Sequence, residues 1–290
     1  MADVDEFSYA SHDDPRFKRL VIQAIERMSG QPELKRMYLD NQKHPVPGET
    51  FWDAAVRKLQ LKVIFNKDAL SEIPKTGPVI VVANHPFGVL DGLVACWLVS
   101  RVRKDFKTLT NALLNRADEI RPFVLPIDFE ETKAALETNI KTRAEAKALL
   151  EKGGALIIFP GGTVSTTPTV LSRKAKDPEW KTFTARMIVQ GKAPVVPVYF
   201  AGQNSRLFQI ASHVSMTLRL SLLFKEVHDR IATDMVLRIG KRIPYEQLKA
   251  ISDRKQLMEF LRDQTYALAE QVPKKRRKLK FARRRRELVG

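Results

Sequence analysis

A chain of 290 residues with 44% hydrophobic side chains can form one large α/β domain or two smaller ones, and it can bury a sizeable core. Its one cysteine, Cys96, excludes an internal disulfide and permits a reducing compartment, and no apolar run approaches the roughly 20 residues of a membrane-spanning helix. The net charge of +17 favours anionic partners: nucleic acid, anionic lipid or an acidic carrier protein.

The N-terminus, Met1 to Glu6, is acidic and lacks the apolar core of a signal peptide. Residues 1–16 read as a loose polar arm, Phe17 to Met28 as a helix stopped by Gly30, and 39–49 as a linker. Phe51 to Ile64 has an aromatic and aliphatic face flanked by Arg57, Lys58 and Lys62. Two readings fit it: a segment lying in a lipid interface, or an amphipathic helix running into a strand near Leu61 to Phe65. The second is favoured.

Val79 to Ala83 is a short β-branched run suited to a strand buried on both faces. It breaks at Pro86 and Gly88, and the apolar helical run Leu93 to Val102 follows Asp91. Further strands are expected at Phe106 to Thr110, Pro122 to Ile127, Ala155 to Phe159, Ala193 to Phe200 and Asp234 to Ile239, the last at an edge or half-buried. Helices are expected over 132–151, with a capping box between Thr142 and Glu145, over Glu179 to Gln190, over most of 206–229, and over Ser252 to Val272, capped by Ser252 and Asp253. Strand and helix alternate, so the fold class is α/β: a single domain with a mostly parallel central sheet flanked by helices. Residues 1–50 form an N-terminal arm and helix, 51–272 the domain, and 273–290 a basic tail expected to lack structure.

Two stretches carry chemistry. Asn84-His85-Pro86-Phe87-Gly88-Val89-Leu90-Asp91 places an imidazole where a buried strand emerges, the edge of an α/β sheet that usually houses chemistry. A carboxylate six residues on can hold one ring nitrogen protonated and leave the other free to take a proton. Asp91 can equally be a helix N-cap that only satisfies backbone N–H groups. Phe159-Pro160-Gly161-Gly162-Thr163-Val164-Ser165 again follows a buried strand. Its glycines let the backbone approach a ligand closely, and its N–H groups and two hydroxyls can hold an anion or a polar head. Most Gly-Gly turns merely turn the chain.

Taken together with Ala193-Pro194-Val195-Val196-Pro197-Val198, the two stretches resemble the glycerolipid (lysophosphatidic acid) acyltransferase family over residues 50–250. The Asn-His-Pro-Phe-Gly form and Phe200-Ala201-Gly202-Gln203-Asn204-Ser205 resemble its bacterial haemolysin-like branch, which includes enzymes that convert lyso-ornithine lipid to ornithine lipid. The resemblance implies an O-acyltransferase with His85 as general base, Asp91 as its orienter, and a substrate site drawn from Asn84, Phe159, Pro160, Gly161, Gly162, Thr163 and Ser165. A lyso-lipid hydroxyl would attack the thioester of acyl carrier protein or coenzyme A, and no metal, cofactor or covalent acyl-enzyme is implied. Three departures stand out: five residues rather than four separate His85 from Asp91, Gly161 and Val164 replace the Glu and Arg of the usual Phe-Pro-Glu-Gly-Thr-Arg-Ser motif, and Pro126-Ile127-Asp128 lacks the arginine that usually ends the second motif. In the family those arginines serve the acceptor phosphate, which points away from lysophosphatidic acid and toward an aminolipid such as lyso-ornithine lipid.

Lys274 to Arg286 holds ten Lys or Arg and no acid. It reads as a nucleic-acid patch, an anionic-lipid contact or a solvated tail. For an enzyme with a membrane acceptor the lipid reading is favoured, with Lys274, Lys275, Arg276, Arg277, Arg283 and Arg284 against lipid or acyl carrier protein and nucleic acid the disfavoured partner. The expected location is cytoplasmic, peripheral on the inner face of the cell membrane. The rival classes are an acyl-thioester hydrolase and a non-enzymatic basic nucleic-acid-binding protein. The absence of a Gly-x-Ser-x-Gly elbow disfavours a serine esterase.

Overall fold

The computed structural model describes residues 30–111, 118–127 and 132–273. The expected arm, the Phe17 to Met28 helix, Asp128 and the basic tail lie outside the described residues. Elements run α1 (Gln31–Lys43), α2 (Phe51–Lys58), β1 (Lys62–Ile64), β2 (Val79–Ala83), α3 (Val89–Ser100), β3 (Phe106–Asn111), β4 (Val124–Ile127), α4 (Lys133–Glu151) and β5 (Ala155–Ile158). They continue α5 (Phe183–Gly191), β6 (Val195–Phe200), α6 (Arg206–Val214), α7 (Met216–His228), β7 (Asp234–Ile239), α8 (Tyr245–Lys249) and α9 (Arg254–Ala267).

Among the described residues seven strands form one sheet in the order β1-β7-β6-β2-β5-β3-β4. β6, β2, β5, β3 and β4 are mutually parallel, β7 runs antiparallel to β6, and β1 is parallel to β7. The α/β class and largely parallel sheet hold. β7 is half-buried as expected, but it is an interior strand, with β1 and β4 at the edges.

β2 explains why the run Val79 to Ala83 is apolar without alternation. Val79, Val81 and Ala83 enter the core beneath α2 and α3, while Ile80 and Val82 enter the opposite core beneath α4, α5 and α9. All five are buried, and each larger side chain contributes about 1.5–3 kcal/mol by leaving water. Cys96 packs in the first core, and burial pushes its thiol well above the ordinary range, an environment for packing rather than reactivity.

Several boundaries move. The expected linker 39–49 is helical as far as Lys43, because Asp40 and Asn41 sit on the outer face of α1, with Asp40 ion-paired to Lys58. The 51–64 segment is a helix leading to a strand, and Trp52 lies in the core against Phe106 and Phe123, so it is a packing element. Asp91 is the third residue of α3 rather than its N-cap, which is Gly88, but its carboxylate accepts the N–H groups of Phe87 and Gly88, so the role of satisfying backbone donors at the helix start is present. Arg121–Phe123 is a 3₁₀ turn before β4. Thr142 makes no capping box; mid-helix in α4, its hydroxyl donates to the Pro126 carbonyl of β4 at 2.5 Å. α5 starts only at Phe183, and the 206–229 helix breaks at Ser215, whose backbone is extended. α9 is capped by Asp253 alone and passes into a 3₁₀ turn at Leu268.

Beneath the sheet edge opposite the site, Arg103 ties three loops together. Its buried guanidinium donates to the carbonyls of Pro74 (3.1 Å), Gly77 (2.8 Å) and Gly153 (2.5 Å) and pairs with both oxygens of Asp105. Arg103→Ala leaves those carbonyls without a donor, and a loss of about 3 kcal/mol is expected in denaturant unfolding. The hydrogen bonds from Arg103 hold the Asp105 carboxyl below its ordinary range. The unfolded chain therefore takes up a proton there first, so this contribution is present above the ordinary Asp pKa and is lost as pH falls below it. Stability measured between pH 6 and pH 3 falls less steeply in Asp105→Asn than in the parent.

Candidate active site

Parallel pairing brings the two motifs together. Val82 lies opposite Ile158 in β5, and Ala83 opposite Val198 in β6. The loops after β2, β5 and β6 therefore leave the same edge of the sheet side by side, where open α/β sheets place their sites. Asn84 fastens two of them: its amide donates to the Phe200 carbonyl (2.9 Å) and accepts from the Phe200 N–H (2.7 Å).

His85 Nδ1 lies 3.1 Å from Asp91 Oδ2. The same oxygen accepts the N–H groups of Phe87 (2.7 Å) and Gly88 (2.9 Å). With Asp91 ionised its carboxylate can only accept, and Nδ1 is then the donor and Nε2 presents its lone pair. Asp91 is fully buried, and its Oδ1 has no hydrogen-bond partner among the described residues. Burial pushes its carboxyl up, against the pull of His85 and the two N–H groups. The five-residue spacing is absorbed at Gly88, whose φ of 79° suits glycine; a Cβ there would meet Val164 at 3.0 Å and Leu223 at 3.1 Å.

The His85 ring lies over Phe159 with centroids 4.3 Å apart and its side chain 18% exposed. Nδ1 is engaged by Asp91, and Nε2 has no partner among the described residues. The ring is thus held on one face and one nitrogen, with the other nitrogen accessible.

The second loop follows. Gly162 N–H closes a turn onto the Phe159 carbonyl (2.9 Å), and Gly162 has a φ of 69°. The Pro160 carbonyl accepts from Lys181 N–H, and a Cβ on Gly161 would press on Asp177 at 3.3 Å. Ser165 N–H donates to the His85 carbonyl at 2.8 Å, joining the two motifs. The N–H groups of Gly161, Thr163 and Val164 meet no acceptor among the described residues.

Two expected substrate residues are otherwise employed. The Asn84 amide is committed to Phe200, as above. Ser165 is buried, and its hydroxyl donates to Asp177 Oδ1. The cluster Lys274, Lys275, Arg276, Arg277, Arg283 and Arg284 lies outside the described residues.

Sequence reasoning missed two residues of the site. Asp177 is buried; its carboxylate accepts from His85 N–H (3.1 Å), Ser165 Oγ and Trp180 Nε1 (2.9 Å), its N–H donates to Tyr266 Oη (3.0 Å), and its carbonyl accepts from Arg262 (2.8 Å). An Asp-Pro three residues before Trp180 in a polar loop is a faint signal. Arg219, from α7, is also buried, and donates through one nitrogen to Thr163 Oγ1 and the Val164 carbonyl, both at 2.5 Å. Among the described residues it has no carboxylate partner, and burial pulls its pKa down. An unpaired guanidinium beside three unpaired N–H groups makes this corner of the site electropositive.

A family model described as acyltransferase matches residues 32–274, and the chain belongs to that acyltransferase family. It is 26% identical over 261 residues to the lyso-glycine lipid O-acyltransferase of Phocaeicola vulgatus, across 86% of this chain and 88% of that protein. The protein of the same name from Bacteroides thetaiotaomicron is 26% identical over 264 residues, across 86% of this chain and 90% of its own. Among solved structures the chain is similar to the 1-acyl-sn-glycerophosphate (LPA) acyltransferase PlsC from Thermotoga maritima, with a TM-score of 0.48 and 17% identity over 92% of this chain and 87% of that one. The family expected from the two motifs is the one matched.

Replacing Asp177 by Asn sets an amide donor against the Trp180 N–H, or against the His85 N–H and the Ser165 hydroxyl. Asp177→Asn is expected to lose about 2 kcal/mol of stability in thermal unfolding and to lower turnover through the displaced His85 backbone. Unchanged turnover would show that the backbone of His85 is held without it.

Proposed function

We infer that the chain transfers a fatty acyl group from the thioester of acyl carrier protein or coenzyme A to the hydroxyl of a lyso-lipid whose head group carries a carboxylate. The observation that supports the chemistry is the His85 ring, with Nδ1 on buried Asp91 and Nε2 unpaired and accessible above Phe159. As the acceptor hydroxyl attacks the thioester carbonyl, Nε2 takes its proton and Asp91 balances the imidazolium. The unpaired N–H groups after Phe159 suit the developing oxyanion. Collapse forms the ester, breaks the carbon–sulfur bond, and returns the proton from His85 to the leaving thiolate. A thioester is already activated, so positioning and one base suffice.

The head group follows from Arg219. Val164 stands where the resembled motif has arginine, and Arg219 reaches the same loop from another helix. A buried guanidinium without a carboxylate partner favours an anionic ligand. Two relatives are named for lyso-glycine lipid. An amino acid joined to a lipid through its amine keeps a free carboxylate, so lyso-glycine lipid is the first acceptor to test and lyso-ornithine lipid the second. The basic tail and a membrane-borne acceptor make the inner membrane face the working place.

The decisive assay supplies labelled acyl carrier protein thioester and a panel of lyso-lipids. Label is expected in the carboxylate-bearing lyso-lipids. His85→Ala is expected to lower transfer by about 10³-fold with its melting temperature unchanged. Label appearing only as free fatty acid would make the protein a thioester hydrolase. Arg219→Met is expected to raise KM about tenfold for the carboxylate acceptor and to leave it unchanged for the corresponding primary amide; an equal effect on both would remove the carboxylate from the reading.

A further inference from the structure

Among the described residues, six of the ten large apolar side chains that stand exposed lie on one face beside the active-site loops. Leu207, Ile210 and Val214 recur at helical spacing along α6, Met216 follows at the start of α7, and Val170 and Leu171 lie on the preceding loop. Leu171 is 88% exposed and Val214 70%. The loop is attached to α6 along its adjacent flank. Arg206 donates to the carbonyls of Val170 and Ser172, Gln209 accepts from Thr167 N–H (2.9 Å), and His213 meets Thr167 Oγ1 (3.2 Å). Arg206, Gln209 and His213 are each one residue before Leu207, Ile210 and Val214, so attachment and apolar stripe run side by side. The inner side of α6 is independently packed: Phe208 and Ala211 share a small core with Val164, Leu222 and Leu223. The exposed stripe is therefore not a face that the helix needs for its own docking.

The charge pattern names the occupant. Residues 163–176 and 201–225 contain no Asp or Glu, and they carry Arg173, Lys174 and Lys176 exposed on the loop as well as Arg206 at the start of α6. An apolar stripe edged by cations, with no acid among them, fits the boundary between anionic head groups and acyl chains. No described helix is long and apolar enough to cross a membrane. The loop that carries Leu171 begins at Thr163 and Ser165, next to His85. We propose that the 168–173 loop, α6 and the start of α7 form a membrane-docking face that inserts its apolar side chains into an anionic bilayer and presents the His85 site to the acceptor there. The proposal rests on the reading that the acceptor is a membrane lipid, and it assigns the contact to residues other than the 51–64 segment.

The test measures binding and needs no turnover. The full chain carrying His85→Ala is floated with vesicles of phosphatidylcholine and phosphatidylglycerol, 3:1, in 0.5 M NaCl, which screens surface charge. The same chain with Leu171→Asp and Val214→Asp is expected to partition at least about tenfold more weakly with an unchanged melting temperature, since both side chains are exposed. In a chain carrying Leu171→Trp, lipids brominated on their acyl chains are expected to quench added fluorescence. Equal partitioning of the Asp variant, absence of quenching, or binding that vanishes in 0.5 M NaCl would overturn the proposal, the last assigning attachment to charge alone. Loss of a dimer in the Asp variant with vesicle binding intact would overturn it in favour of a second copy of the chain. If the His85→Ala chain floats as expected while the parent chain, with His85 intact, transfers no acyl group, the proposed activity is refuted and this face stands. On detergent-dispersed acceptor, Leu171→Asp with Val214→Asp is expected to turn over at the parent rate.

Discussion

One oxygen atom holds the site in shape. Asp91 Oδ2 gathers the N–H groups of Phe87 and Gly88 and the Nδ1 of His85. The first two contacts turn the chain out of β2 into α3, and the third fixes the tautomer and tilt of the imidazole. Helix entry and ring orientation are therefore one arrangement, and capping and orienting cease to be alternatives. Withdrawal of the carboxylate from water raises the cost of its charge, and the three donors offset it. A group under that tension favours a positive charge on its neighbour.

Around this pair the protein contributes two guanidinium groups, Arg219 without a carboxylate partner among the described residues and Arg230 with Glu226, Asp91 and Asp229 near enough to act on its charge. Arg219 reaches the Thr163-Val164 corner without a carboxylate, and Arg230 lies 3.8 Å over the Phe87 ring, donating to the Gln203 carbonyl. Both are kept in place by backbone carbonyls and aromatic faces, contacts that position a guanidinium without cancelling its charge. Arg219 thereby leaves the Thr163-Val164 corner electropositive.

Much of the fold was legible because both-face burial leaves a plain signature: Val79 to Ala83 and Ala155 to Ile158 are unbroken apolar runs, and such runs mark central parallel strands. The motif loops were legible for the same reason, since His85 and Phe159 each stand just past such a run. What the sequence conceals is who answers whom across space. Asn84 and Ser165 look like ligand-binding groups in one dimension, and their partners, Phe200 and Asp177, are over ten residues distant or far more. Arg219 escaped notice because its helix is mostly apolar and its target is a loop over fifty residues earlier. Boundaries shifted where polar residues lie on an outer helical surface, as at Asp40 and Asn41 in α1, and where a single extended residue, Ser215, splits a helix.

The anchorage of Asp177 has a further consequence for how the enzyme comes into being. The residue that holds the His85 and Ser165 loops is itself held by Arg262 and Tyr266 of α9, the last helix described. A chain emerging from the ribosome has His85 and Asp91 translated long before that brace arrives. The brace on the His85 and Ser165 loops is therefore complete only after α9 has been made and has packed on the sheet, which ties the geometry of the site to the last stretch of the described chain.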